Sequence, residues 1–172
     1  MSHLFIPGKF SIPGKTLATA LALLLCLLLA PLSEAQAGTF RCQYFTLNLP
    51  QNWKLINGPF KKGGGETAVL GRRDHKASVQ MLYGTSVKEN FKTIVEGYAK
   101  SLKASPKYMG TSQAWFDTTR KGQQFRFIFC QDDAAQVLAI YILNGKPGDM
   151  DFIRTGMKTK YKGLVPQKIT AR

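Results

Sequence analysis

His75 is the one histidine beyond residue 37, and it stands in Arg72-Arg73-Asp74-His75-Lys76, where an imidazole beside a carboxylate has the residue types of a general base and its orienting partner. The same five residues also read as a charged turn between two strands, facing solvent. Two further acidic pairs, Asp132-Asp133 and Asp149-x-Asp151, have the residue types to divide acid and base roles. The first falls in a turn, where aspartate bonds nearby backbone, and the second at a helix start, where negative charge complements the dipole. Asn57 to Gly65 (NGPFKKGGG) reads as a flexible basic loop. Its glycines could cradle a phosphate, but the nucleotide-binding form needs Gly-Lys-Ser/Thr opening a helix, and here Glu66 follows.

The remaining motif chemistry is absent. A single histidine beyond residue 37 excludes a histidine-rich zinc site, and the sequence holds no HExxH, no Gly-x-Ser-x-Gly elbow, no dinucleotide fingerprint and no EF-hand loop. No cofactor and no metal is therefore expected. Nucleic-acid binding would need rings exposed beside basic residues, yet Tyr44, Trp53, Tyr83, Trp115 and Phe116 mostly fall at positions assigned to the interior.

The start of the chain indicates where it works. Lys9 and Lys15 form a positive region, Leu17 to Ala30 is continuously apolar, and Ala35-Gln36-Ala37 fits a small-x-small cleavage site before Gly38. Residues 1–37 are thus expected to be a signal peptide, with an apolar run shorter than the ~20 residues a spanning helix needs. Leu25 before Cys26 does not suit a lipidation box. The expected product is an exported protein, periplasmic or extracellular, with residues 38–172 as a single domain. The formal charge is +14, and losing Lys9, Lys15 and Glu34 with the leader removes only one unit of it. So positive a body favours anionic partners. Two cysteines remain, Cys42 and Cys130, and an even pair in an exported chain reads as a disulfide. Strand parity places both opposite their strands' main apolar rows, which supports the pairing.

These groups are held by a strand-rich framework. Gln123 to Gln131 puts Phe125, Phe127 and Phe129 on one face, and Gln136 to Leu143 is apolar on both, as expected of a hairpin in mid-sheet. Tyr44 to Leu49, Thr67 to Gly71, Lys76 to Tyr83 and Tyr108 to Asp117 read as further strands. Ser86-Val87-Lys88-Glu89 forms a capping box, and Phe91, Ile94, Val95, Tyr98 and Leu102 repeat at helical spacing. A second helix is expected from Asp149 to about Tyr161, packing Met150, Ile153 and Met157. The fold class is then α+β, an antiparallel sheet of about six strands with helices packed on its faces.

Phe45 to Trp53 (FTLNLPQNW), the helix from Ser86 to Leu102, the paired strands Gln123 to Leu143 and the closing Gly163-Leu164-Val165-Pro166 carry a resemblance. In this element order, covering nearly all of residues 43 to 166, the chain resembles the PsbP-like fold family, which includes the DcrB-type bacterial envelope proteins. The resemblance implies a sheet with helices on both sides and an accessory or binding role without catalysis. The resulting expectation is a non-enzymatic envelope protein that binds a protein or an anionic surface component, with peripheral membrane contact allowed. Its binding face is expected at Lys61, Lys62, Arg72, Arg73 and Lys76, as neighbours at one end of the sheet. The alternative is a small secreted enzyme with a site assembled around His75.

Overall fold

A computed structural model describes residues 38–62, 64–85 and 90–169, with the side chain of Lys62 outside that set. Its elements in chain order are β1 (Thr39–Arg41), β2 (Thr46–Asn48), β3 (Trp53–Lys62), β4 (Gly65–Arg72), β5 (Ser78–Thr85), α1 (Phe91–Ser101), β6 (Lys107–Met109), β7 (Gln113–Arg120), β8 (Gln123–Asp132), β9 (Val137–Asn144), α2 (Phe152–Thr155) and β10 (Met157–Lys158). Seven strands form one sheet in the order β3-β4-β5-β9-β8-β7-β6, and β1-β2-β10 form another; every pairing is antiparallel.

The large sheet is apolar on both faces at its centre because alternate residues of its middle strands are apolar in both directions. One face presents Ile128, Cys130, Ala139, Tyr141, Leu143, Val79, Met81 and Leu70, all buried. The small sheet covers it with Phe40, Phe45 and Leu47, and the segment after β9 adds Met150, Ile153 and Leu164. Tyr83 is the aromatic hinge of this contact, with ring centroids 5.3 Å from Phe45 and 5.9 Å from Tyr44, both edge-on. Trp53 also folds inward, its ring 4.8 Å from that of Phe152.

On the other face α1 lies over β7, β8 and β9, burying Phe91, Val95 and Ala99 against Phe116, Phe127, Phe129 and Ile140. The helical spacing of its apolar residues is what permits this. Asn90 caps it, its side chain accepting from the Lys92 amide at 3.0 Å, and Lys100 suits the dipole in the last turn. The expected capping box, Ser86 to Glu89, lies outside the described residues.

The expected α+β class does not hold. Strand outweighs helix, 49% against 17%, and one face is covered by a second sheet and short turns in place of a helix. The expected helix from Asp149 to Tyr161 is instead a 3-10 turn (Pro147–Met150), the four-residue α2 and β10. Gly156 ends α2 where the chain is pressed onto β2, since a Cβ there would lie 2.8 Å from the carbonyl oxygens of Asn48 and Phe152. Met150 and Ile153 nevertheless reach the interior, which is the part of the pattern the burial requires.

Most of the expected Asn57 to Gly65 loop is strand, with a turn at Gly64 and residue 63 outside the described residues. Strand β3 continues to Lys62 through two register shifts, one of them spanning Gly58-Pro59. Gly58 takes φ 92°, and a Cβ there would lie 2.5 Å from the Thr67 carbonyl, so a close approach of backbones sets this residue.

The expected Cys42–Cys130 bridge is not formed, and both are free thiols. Parity put them on the correct face, since both belong to the cluster under the small sheet, but parity says nothing of position across a sheet. Cys42 lies beside Tyr83 of β5, whereas Cys130 is on β8 with β9 between. The Cys42 thiol instead lies 3.5 Å from the Phe45 carbonyl, and burial raises the pKa of both cysteines.

The closing segment is tied by side chains. Gln113, buried, donates to the Val165 carbonyl at 2.9 Å and accepts from the Gln167 amide at 2.9 Å, and Tyr141 donates to the Leu164 carbonyl at 2.9 Å.

Because Phe129 is fully enclosed between α1 and the sheet while Phe125 is only half-buried, truncating the two should separate their roles. In chemical denaturation, Phe129→Ala should cost about 3–5 kcal/mol and Phe125→Ala distinctly less.

Candidate functional site

Three turns meet at one end of the large sheet. The β4-β5 turn brings Arg72, His75 and Lys76, the start of β8 brings Gln123 and Gln124, and the loop after β9 brings Asn144, Lys146 and Asp149. They line an open cavity of about 790 Å³. Its formation follows from register: Ser78 pairs with Asn144 across β5 and β9, and Asn144 in turn pairs with Phe125 of β8, so the segments just beyond these residues are neighbours. Asn144 donates to the Gln123 side chain at 3.2 Å.

Arg72 is the organiser. Its Nε donates to Asp74 Oδ1 at 2.8 Å and one Nη to Asp74 Oδ2 at 2.6 Å, while the other Nη is bound to Asp149. The fork therefore joins the β4-β5 turn to the loop after β9 in a bidentate and a monodentate ion pair. The Arg72 guanidinium, and after it the Lys76 amide at 3.1 Å, hold the Asp74 carboxyl well below the usual carboxylate range. Asp149, which begins no long helix, serves this clamp instead. Lys76 and Lys146 are in none of the ion pairs among the described residues.

The five basic residues expected to form one face are not neighbours. Lys61 and the backbone of Lys62 pair with Glu66 and Gly65 at one end of the β3-β4 hairpin, whereas Arg72 pairs with Trp53 at the other. The eight residues of β4 separate the groups, a span of ~25 Å. Arg73 leaves the cavity too, its Nε donating to the Gln51 carbonyl at 3.1 Å. Only Arg72 and Lys76 of the five line the cavity. Gln123, Gln124, Asn144 and Lys146 were not singled out from the sequence. The signal that could have found them is the β5-β9 pairing, which places residue 144 beside residue 78.

His75 lines the cavity on a left-handed backbone, φ 60°, a conformation the tight turn imposes and histidine tolerates better than most residues. The two carboxylates of this region, Asp74 and Asp149, are both bound to Arg72. The other acidic pair lies elsewhere: Asp132 and Asp133 serve the β8-β9 turn, accepting from the Ala135 amide at 3.1 Å and the Gln131 side chain at 2.7 Å, while Asp151, the partner of Asp149 in sequence, is paired with Arg154. Among the described residues no group of three or more His, Cys, Asp or Glu side chains is placed to hold a metal ion. No described helix is long and apolar enough to cross a membrane.

No family model, curated protein or solved structure matches the chain.

The Asp74 clamp carries a pH signature. Its folded pKa is depressed, so its stabilisation is present above the unfolded value of about 3.9 and is lost as pH falls through the folded one. The difference in thermal midpoint between the wild type and Asp74→Asn should be constant at neutral pH and shrink as the pH is taken below about 4. A difference that persisted undiminished in acid would show that the carboxylate charge is not what the clamp uses.

Proposed function

We propose that the chain is an exported, non-enzymatic binding module for an anionic partner of the cell envelope, and that it engages carboxylate or phosphate groups in the cavity at the Arg72 end of the large sheet. One observation carries the proposal: both carboxylates of this region are bound to Arg72, while Lys76 and Lys146 flank the same opening beside the amide side chains of Gln123, Gln124 and Asn144. Ammonium and amide groups on a rigid rim suit an anion that also carries hydrogen-bonding groups, and the volume is in the range of small-ligand sites. The net charge of +14 adds long-range attraction for such a partner.

The leader-like residues 1–37 support export. Catalysis centred on His75 is the weaker reading. An imidazole general base works best with a carboxylate to orient it, and Asp74 and Asp149 are both committed to Arg72.

Retention on phosphocellulose tests the cavity. The double variant Lys76→Glu/Lys146→Glu should elute at clearly lower salt than Lys100→Glu/Lys158→Glu, which makes the same change in charge at exposed sites outside the cavity. Equal losses from the two pairs would show that charge alone matters and would remove the cavity from the account.

A further inference from the structure

The outer edge of the large sheet presents a second, chemically different surface. Along β3, Leu55, Ile56 and Phe60 are 41%, 51% and 53% exposed, three of the four large apolar side chains so exposed among the described residues. Exposed Lys54 and Lys61 bracket them in the chain. Register assigns the faces: Leu55 lies opposite Leu70, on the face under the small sheet, while Phe60 lies opposite Thr67 and Ile56 sits over Gly71, both on the face that carries α1. The apolar groups thus straddle the edge and point to both sides of it.

That face of the sheet is also unevenly covered. Helix α1 packs on β7 to β9, and beyond it Val69, Leu82 and Leu138 are only half-buried. A cavity of about 420 Å³ opens there, floored by Thr67, Gln80, Leu82, Leu138 and Ile140.

An exposed edge strand ordinarily invites another strand. Here the invitation is withdrawn: β3 has two register shifts, between Leu55 and Asn57 and between Asn57 and Phe60, and Pro59 has no N–H to give. The regular row of donors and acceptors that a peptide or a second copy would need is interrupted. Lys54 and Lys61 would also repel an identical edge. What remains suited to a ridge of apolar side chains bracketed by ammonium groups is an interface that takes apolar groups at one depth and cations at another, without backbone pairing. An anionic bilayer surface has that layering, with phosphates for the lysines and the acyl boundary for Ile56 and Phe60.

We infer that the β3 edge is a membrane-docking ridge that inserts Leu55, Ile56 and Phe60 into the interface of an anionic phospholipid surface, with Lys54 and Lys61 on the headgroups. The ridge is separate from the Arg72 cavity, so either can fail without the other.

Residues 38–172 carry every described element and both apolar clusters, and are the form to test by co-sedimentation with vesicles. The wild type should sediment with vesicles of phosphatidylglycerol mixed with phosphatidylcholine and much less with phosphatidylcholine alone. Ile56→Ser/Phe60→Ser, at exposed positions where folding should survive, should lower that partition about tenfold or more. Lys54→Glu/Lys61→Glu should lower it with a strong dependence on salt. With Phe60→Trp, emission should shift to the blue on the anionic vesicles, placing residue 60 in the interface. Adsorption that is lost with the lysines but untouched by Ile56→Ser/Phe60→Ser would reduce the effect to net charge and overturn the ridge. A failure of the wild type to sediment would overturn it too, as would a self-association in light scattering that the same serine pair abolishes, since a second copy would then be what covers the edge.

Discussion

Eight consecutive residue pairs between β5 and β9, from Ser78 with Asn144 to Thr85 with Val137, join two meanders that would otherwise be separate. β3, β4 and β5 precede α1, and β6 to β9 follow it, so this long-range pairing is the step that makes a seven-stranded sheet. Its register is held by burial on both sides. On β9, Val137, Ala139, Tyr141 and Leu143 face the small sheet and Ile140 faces α1, so a slip by one residue would exchange the two sets and misfit both covers. The cavity depends on the same pairing, because it lies where the paired strands end and their turns continue.

The two covers differ in kind for a reason visible in the chain. Residues 91 to 101 carry apolar groups at helical spacing and supply a stripe wide enough for three strands. The opposite cover is assembled from short pieces at both ends of the domain, β1 and β2 before the large sheet and β10 after it, stapled by Thr159 donating to the Tyr44 carbonyl at 2.8 Å. Gly163 lets the last piece approach, since a Cβ there would lie 2.3 Å from the Gln131 carbonyl oxygen.

Periodicity made part of this legible. The alternation in residues 123 to 131 and the spacing of Phe91, Val95 and Tyr98 identified β8, its aromatic row and α1 because burial and pattern agree there. It failed where local chemistry and tertiary context conflict. Gly58-Pro59 looks like part of a loop, yet pairing with β4 draws residues 57 to 62 into a bulged edge strand. The residues after Asp149 carry apolar groups at workable helical spacing, but Gly156 is pressed against β2 and ends the helix after one turn. Strand parity found the face shared by Cys42 and Cys130 without the distance between them. The site was the least legible part, since its residues come from three turns between positions 72 and 149 and only strand order brings them together. The expected cluster of five basic residues failed for the same reason, a strand of eight residues being a spacer that adjacency in sequence conceals.

The account rests on one claim about place: that the anion site is the hollow organised by the Arg72 fork and not the lysine-bearing surface at large. Titrating isotopically labelled residues 38–172 with inorganic phosphate while following backbone amides by NMR addresses it directly. The account predicts saturable shifts concentrated at Lys76, Ala77, Ser78, Gly145 and Lys146. Shifts spread over the exposed lysines, or centred on the Lys61 end of the β3-β4 hairpin, would contradict it.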